Sequence, residues 1–120
     1  MEPVPVGDFE RLVAEALDAL PTSLGSLMKN VVVLPAERGD PPDLLGLYDG
    51  VPLTEREEYA GPMVGGGMVM PDRIFLYRMA LCEMCADVDE LRHEVGVTVV
   101  HEVAHHFGID DDRLKELGWD

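Results

Sequence analysis

His101-Glu102-Val103-Ala104-His105-His106-Phe107-Gly108-Ile109-Asp110-Asp111 holds three of the chain's four histidines, and its reading governs everything upstream. On a helix turning about 100° per residue, His101 and His105 stand one turn apart on one face, with Glu102 on the rim of that face. Two imidazoles so placed can grip a single Zn2+, and a neighbouring carboxylate can take a proton from zinc-bound water. His106 points away from that face, so it is expected to pack or to support the site rather than to bind metal.

The residues after the histidines strengthen the pattern. Gly108 comes three residues after His105, where a helix closes with a left-handed residue that glycine adopts at little cost. The chain can then turn back toward the metal. Asp111 stands ten residues after His101, the third-ligand position of the extended pattern HExxHxxGxxH. The stretch therefore resembles the metzincin form of the motif with aspartate in place of the third histidine. Asp110 and Asp112 are alternative donors, and one of the three aspartates is also suited to cap a short helix over residues 113–117. A carboxylate ligand lowers the net charge of the site by one unit compared with three histidines. That weakens the acidifying effect of zinc on its water, so the base, Glu102, gains importance.

The 120 residues are expected to form a single domain, 1–120, with one modest core. Twenty-four acidic residues oppose nine basic ones, for a formal net charge of −15. Such a surface repels phosphate backbones and anionic lipid, which argues against nucleic-acid and membrane partners; the peptide or protein substrate is the expectation of the zinc-peptidase motif. The acidity also suits basic peptides, although a solvated acidic surface is its commoner meaning. No apolar run approaches the roughly 20 residues that span a bilayer. Met1-Glu2-Pro3-Val4-Pro5-Val6 lacks the basic start and apolar stretch of a secretory signal, so a cytoplasmic location is the expectation. Cys82 and Cys85 form one CxxC pair without enough companions for a structural zinc site, and read as two ordinary reduced cysteines in a helix. Oligomeric state has no signature in the sequence.

Phe9, Leu12, Val13, Ala16, Leu17 and Leu20 recur at helical spacing, with Asp8 as cap and Pro21 as stop. Val31-Val32-Val33-Leu34 reads as a short buried strand closed by Pro35, Leu44-Leu45-Gly46-Leu47-Tyr48 as a second, and Ile74-Phe75-Leu76-Tyr77 as a third. The third strand could offer an edge to an extended peptide, but ordinary sheet core is its plainer reading. Residues 51–70 show no convincing period and read as a loop. The long helix should start near Asp87, with Glu90 as a capping-box partner, and run to Phe107. Val99, Val103 and Phe107 should line its buried side and Thr98 should lie beneath the metal pair. Gly96-Val97-Thr98-Val99-Val100 has strand-like propensity, which the histidine spacing overrides.

Three stretches together resemble a family of small bacterial zincin-like metallopeptidases, the minimal metalloproteases. They are Leu44-Leu45-Gly46-Leu47-Tyr48 with Gly50-Val51-Pro52-Leu53-Thr54-Glu55-Arg56, then Pro71-Asp72-Arg73-Ile74-Phe75-Leu76-Tyr77, and lastly residues 101–114. The resemblance implies an α+β fold, a compact zincin-like domain in which a small mixed sheet packs against an N-terminal helix and a long C-terminal HExxH helix. It also implies Zn2+ held by His101, His105 and Asp111, with Glu102 as general base. The chain departs from metzincins in one respect, because the nine residues after Asp111 contain no methionine to form a turn beneath the metal. Zinc-dependent peptide hydrolysis is the leading expectation. The alternatives are a non-catalytic zinc-dependent peptide-binding or regulatory protein, and a purely structural metal site stapling a small core.

Overall fold

The computed structural model describes residues 1–22, 30–50, 71–109 and 111–117, the side chains of Asp111, Leu114 and Leu117 excepted. The loop expected over residues 51–70 lies outside the described residues, as does Asp110. The elements are α1 (Val6–Asp18), β1 (Val31–Ala36), β2 (Gly46–Asp49), β3 (Asp72–Tyr77), α2 (Arg78–Met84), α3 (Val88–His106) and α4 (Asp111–Leu117). The fold is α+β with a small mixed sheet, as the sequence implies.

Helix α1 buries Phe9, Leu12 and Val13, and Ala16, Leu17 and Leu20 pack along the same stripe. It starts two residues before the expected cap. Pro5 is the N-cap, and its carbonyl accepts the Phe9 amide at 3.0 Å. Asp8 lies inside the first turn, where a carboxylate favours the positive end of the helix dipole, and pairs with Arg11.

The sheet order is β1-β3-β2, with β3 parallel to β1 and antiparallel to β2. This places Ile74-Phe75-Leu76-Tyr77 in the central strand, with Ile74 and Leu76 fully buried. Its plainer reading as sheet core holds, and it has no edge to give a peptide. Strand β1 corrects the sequence reading in two ways. It does not stop at Pro35 but pairs through it, Pro35 opposite Leu76 and Ala36 opposite Tyr77. As an edge strand among the described residues, β1 tolerates a residue that lacks an amide donor. Nor is it buried throughout, because Val32 and Leu34 turn outward and are exposed while Val31 and Val33 face the core. The expected second strand begins two residues late, at Gly46, and ends at Asp49.

Helix α3 carries the core and the motif together. Leu91, Val95, Val99 and Val103, spaced by four, are buried against α1, β3 and α2. Phe107, expected on that buried side, is the C-cap and only half-buried. Asp87 caps the start, its side chain accepting the Glu90 amide at 2.9 Å, while Glu90 reaches back to the Ala86 amide at 3.0 Å. This is the expected capping box displaced by one donor. The strand-prone run from Gly96 to Val100 is helical, and Thr98 satisfies its hydroxyl on the Glu94 carbonyl at 2.8 Å. Gly96 sits mid-helix in open space, since an added Cβ would meet nothing within 4 Å. Gly96→Ala should therefore raise stability by about 0.5–1 kcal/mol, read as a higher thermal midpoint, because it removes backbone freedom from the unfolded chain without a clash.

Cys82 lies in α2 and Cys85 caps its end. Both are buried and neither is disulfide-bonded. Burial pushes the Cys85 thiol up to about 11, with the nearby Glu90 and Glu94 carboxylates acting in the same direction.

Candidate metal centre

Two features of the surrounding fold set the walls of the site. The loop after β1 is fastened at its base: Arg38 forks onto the Glu83 carboxylate and also donates to the Pro42 carbonyl, and Arg78 forks onto Glu37. The Tyr77 amide donates to the Leu45 carbonyl at 3.0 Å, fixing where the chain enters β2. Residues 43–46 then form one wall of a cleft of about 450 Å³. Helix α3 forms the other, through Glu94, Val97, Thr98, His101, Glu102 and His105.

The structure thus brings three of the four expected site residues into one cleft. His105 is exposed, His101 half-buried and Glu102 buried, with only 6% of its surface accessible. His105 Nδ1 lies 3.1 Å from Glu102 Oε1. A carboxylate accepts, so the His105 proton belongs on Nδ1, and Nε2 keeps its lone pair for a metal. Two imidazoles from one helix face, one oriented by a carboxylate, fit a divalent zinc ion as far as this donor set extends. Among the described residues no group of three or more histidine, cysteine, aspartate or glutamate side chains gathers to hold a metal. The side chain of Asp111 lies outside those residues, so the expected third donor rests on its position in the chain.

The backbone that leads to it is defined up to Ile109. Phe107 is the C-cap of α3 and Gly108 has φ 75°, in the left-handed region. The Gly108 amide donates to the His105 carbonyl at 3.0 Å and the Ile109 amide to the Ala104 carbonyl at 2.8 Å. These are the two bonds of a Schellman motif, which reverses the chain directly after the histidines. Helix α4 then starts at Asp111, two residues earlier than expected, and contacts α3.

Gly46 carries no legible role in the sequence, and the structure supplies one. A Cβ there would stand 2.7 Å from Thr98 Cγ2, 3.1 Å from the Phe75 carbonyl oxygen and 3.2 Å from Glu102 Cγ. Strand β2 lies directly on the stem of the glutamate, and the carboxylate is buried while His101 is half-buried and His105 exposed. Neither the β-branched Thr98 nor a backbone carbonyl gives way easily. Gly46→Ala should cost about 1–3 kcal/mol of stability by overpacking and displace Glu102. Thermal unfolding and zinc retention on the same sample check this together.

His106, expected to pack or support, does so by a contact the sequence does not reveal. It is completely buried, with Nδ1 2.9 Å from Oδ2 of Asp72, a buried residue at the start of β3. The Tyr48 hydroxyl donates to the same oxygen at 2.6 Å.

The α3 helix thus presents two histidines one turn apart, with a glutamate beside them, to a cleft bordered by a short strand. A model of the zincin-like metallopeptidase family matches residues 27–119, and the chain belongs to that family. Membership implies zinc-dependent peptidase function in general terms. No curated protein matches the chain. None of the described helices is long and apolar enough to cross a membrane.

Proposed function

We propose that the protein is a zinc-dependent peptide hydrolase in which His101, His105 and Asp111 hold the ion and Glu102 is the general base. The observation that carries this reading is the placement of His101, Glu102 and His105 along one wall of one cleft, with the glutamate buried and held by His105. Bound zinc would supply positive charge that polarises a water and the scissile carbonyl. Glu102 would take the proton of the attacking water and deliver it to the departing amine. Its burial beneath Gly46 keeps the carboxylate from swinging away, which suits a group that must work twice in one cycle. An extended substrate would lie along β2, the strand that borders the cleft and is paired on one side only among the described residues.

Asp43 and Glu94 flank the same cleft, and no lysine or arginine lines it among the described residues. Basic side chains near the scissile bond suit that wall. The test is zinc content followed by cleavage of a mixed peptide library, with products sequenced by mass spectrometry. Uptake of an equimolar amount of zinc and metal-dependent cleavage near lysine or arginine is the expected result. Protein that takes up no zinc, or that is loaded and leaves the library intact, would reject the reading.

A further inference from the structure

His106 is the one histidine of the motif that the proposed chemistry leaves unused, yet it is the most deeply buried of them. Its imidazole meets the Asp72 carboxylate at 2.9 Å, and the Tyr48 hydroxyl meets the same oxygen at 2.6 Å. The Tyr48 ring also meets the imidazole edge-on, with centroids 5.9 Å apart, and Phe107 flanks it at 5.1 Å. Three elements therefore converge on one carboxylate oxygen: β2 through Tyr48, β3 through Asp72 and the last turn of α3 through His106. Room for the carboxylate comes from Gly50, where a Cβ would stand 2.6 Å from Asp72 Cγ. Asp72 itself is held at its backbone, its amide donating to the Asn30 carbonyl at 2.9 Å.

The helix geometry shows what this anchor controls. Measured back from His106 around the axis, Glu102 falls about 40° to one side, His105 about 100° and His101 about 140° to the same side. A side chain locked into the sheet at His106 thus fixes the rotation of α3 about its own axis. Glu102, nearest the anchor, is drawn inward and buried, while His101 and His105, farther round the axis, both face the cleft. Apolar contacts along Leu91, Val95, Val99 and Val103 hold the helix down, but they are adaptable and tolerate a small roll. A charge-bearing hydrogen-bonded contact is directional and does not.

We infer that Asp72 and Tyr48, acting through His106, are positioning residues that set the rotation of the HExxH helix and so tune its metal affinity. This inference rests on the proposed zinc site. Its test compares Tyr48→Phe and Asp72→Asn with Val13→Ala, a core truncation on α1, which contributes no side chain to this hydrogen-bonded network. Three readouts are taken on the full chain: zinc affinity by competition with a chromogenic chelator, the visible spectrum of the cobalt-loaded protein, and the thermal midpoint without metal. Loss of zinc affinity of about tenfold or more is expected in both network variants, with an altered cobalt spectrum. Val13→Ala should lower the thermal midpoint and leave affinity and spectrum as in the wild type.

Tyr48→Phe removes a single hydroxyl and keeps the ring, so it decides the matter alone if Asp72→Asn does not fold. Network variants that bind zinc as the wild type does would overturn the inference. So would affinity losses that follow the thermal midpoint along one line with Val13→Ala. Wild-type protein that binds no zinc would instead overturn the proposed function, and the two failures are told apart by that measurement.

Discussion

Glu102→Ala is expected to abolish peptide cleavage while the protein keeps its zinc. Loss of a positioned general base costs about 10²–10⁴-fold in rate, since the proton must then pass to solvent. Because the histidines and not the glutamate would coordinate the ion, metal content should stay close to that of the wild type. Some loss of affinity is expected, because His105 loses the carboxylate that orients its ring through Nδ1. Glu102→Gln is the cleaner companion: it keeps the volume beneath Gly46 and can no longer accept the proton. The pair separates the functions that a zincin-like chain could have. A hydrolase loses turnover and keeps metal, a peptide-binding protein keeps partner affinity through both changes, and a structural zinc site is indifferent to them. Equal cleavage by wild type and Glu102→Ala would reject Glu102 as the base.

Asp111→Ala carries the second large effect. If Asp111 is the third donor, its removal leaves two imidazoles from one helix face, and zinc affinity should fall by more than the roughly 10–100-fold that loss of a supporting partner costs. Asp110→Ala and Asp112→Ala serve as controls and should stay near wild type. The ranking follows the spacing of the motif, in which Asp111 stands ten residues after His101. A reversed ranking, with Asp110→Ala or Asp112→Ala losing the metal, would move the third donor by one residue. Titration with a competing chelator measures all three.

The HExxH helix, its cap at Asp87 and its close at Gly108 are legible in the sequence because each rests on contacts within a few residues along the chain. Spacing of four places two histidines on one face whatever the rest of the fold does. The strands are legible as strands, but their order is not. That Ile74-Phe75-Leu76-Tyr77 is central and Val31-Val32-Val33-Leu34 an edge depends on pairing across tens of residues, and the passage of β1 through Pro35 follows from that edge position. The same distance hides Asp72. It lies 34 residues from His106 and 24 from Tyr48, and reads in sequence as no more than part of the lead-in to the third strand. Gly46 is hidden for a different reason, because a glycine needed for close approach looks like any other until the neighbour is known. The start of α1 differs from expectation because Asp8 is equally favourable as a cap and as a first-turn residue.

The sealed thiols bear on how the metal would be handled. A cysteine binds zinc or forms a mixed disulfide as the thiolate, and with its pKa raised to about 11 Cys85 stays protonated at neutral pH. Cys82 and Cys85 are the chain's two cysteines and both are buried. Metal taken up by the folded protein would therefore not be held by sulfur, and stoichiometry measured with or without reductant should agree. Oxidants that disable thiolate-bound zinc should leave zinc bound at the proposed site in place.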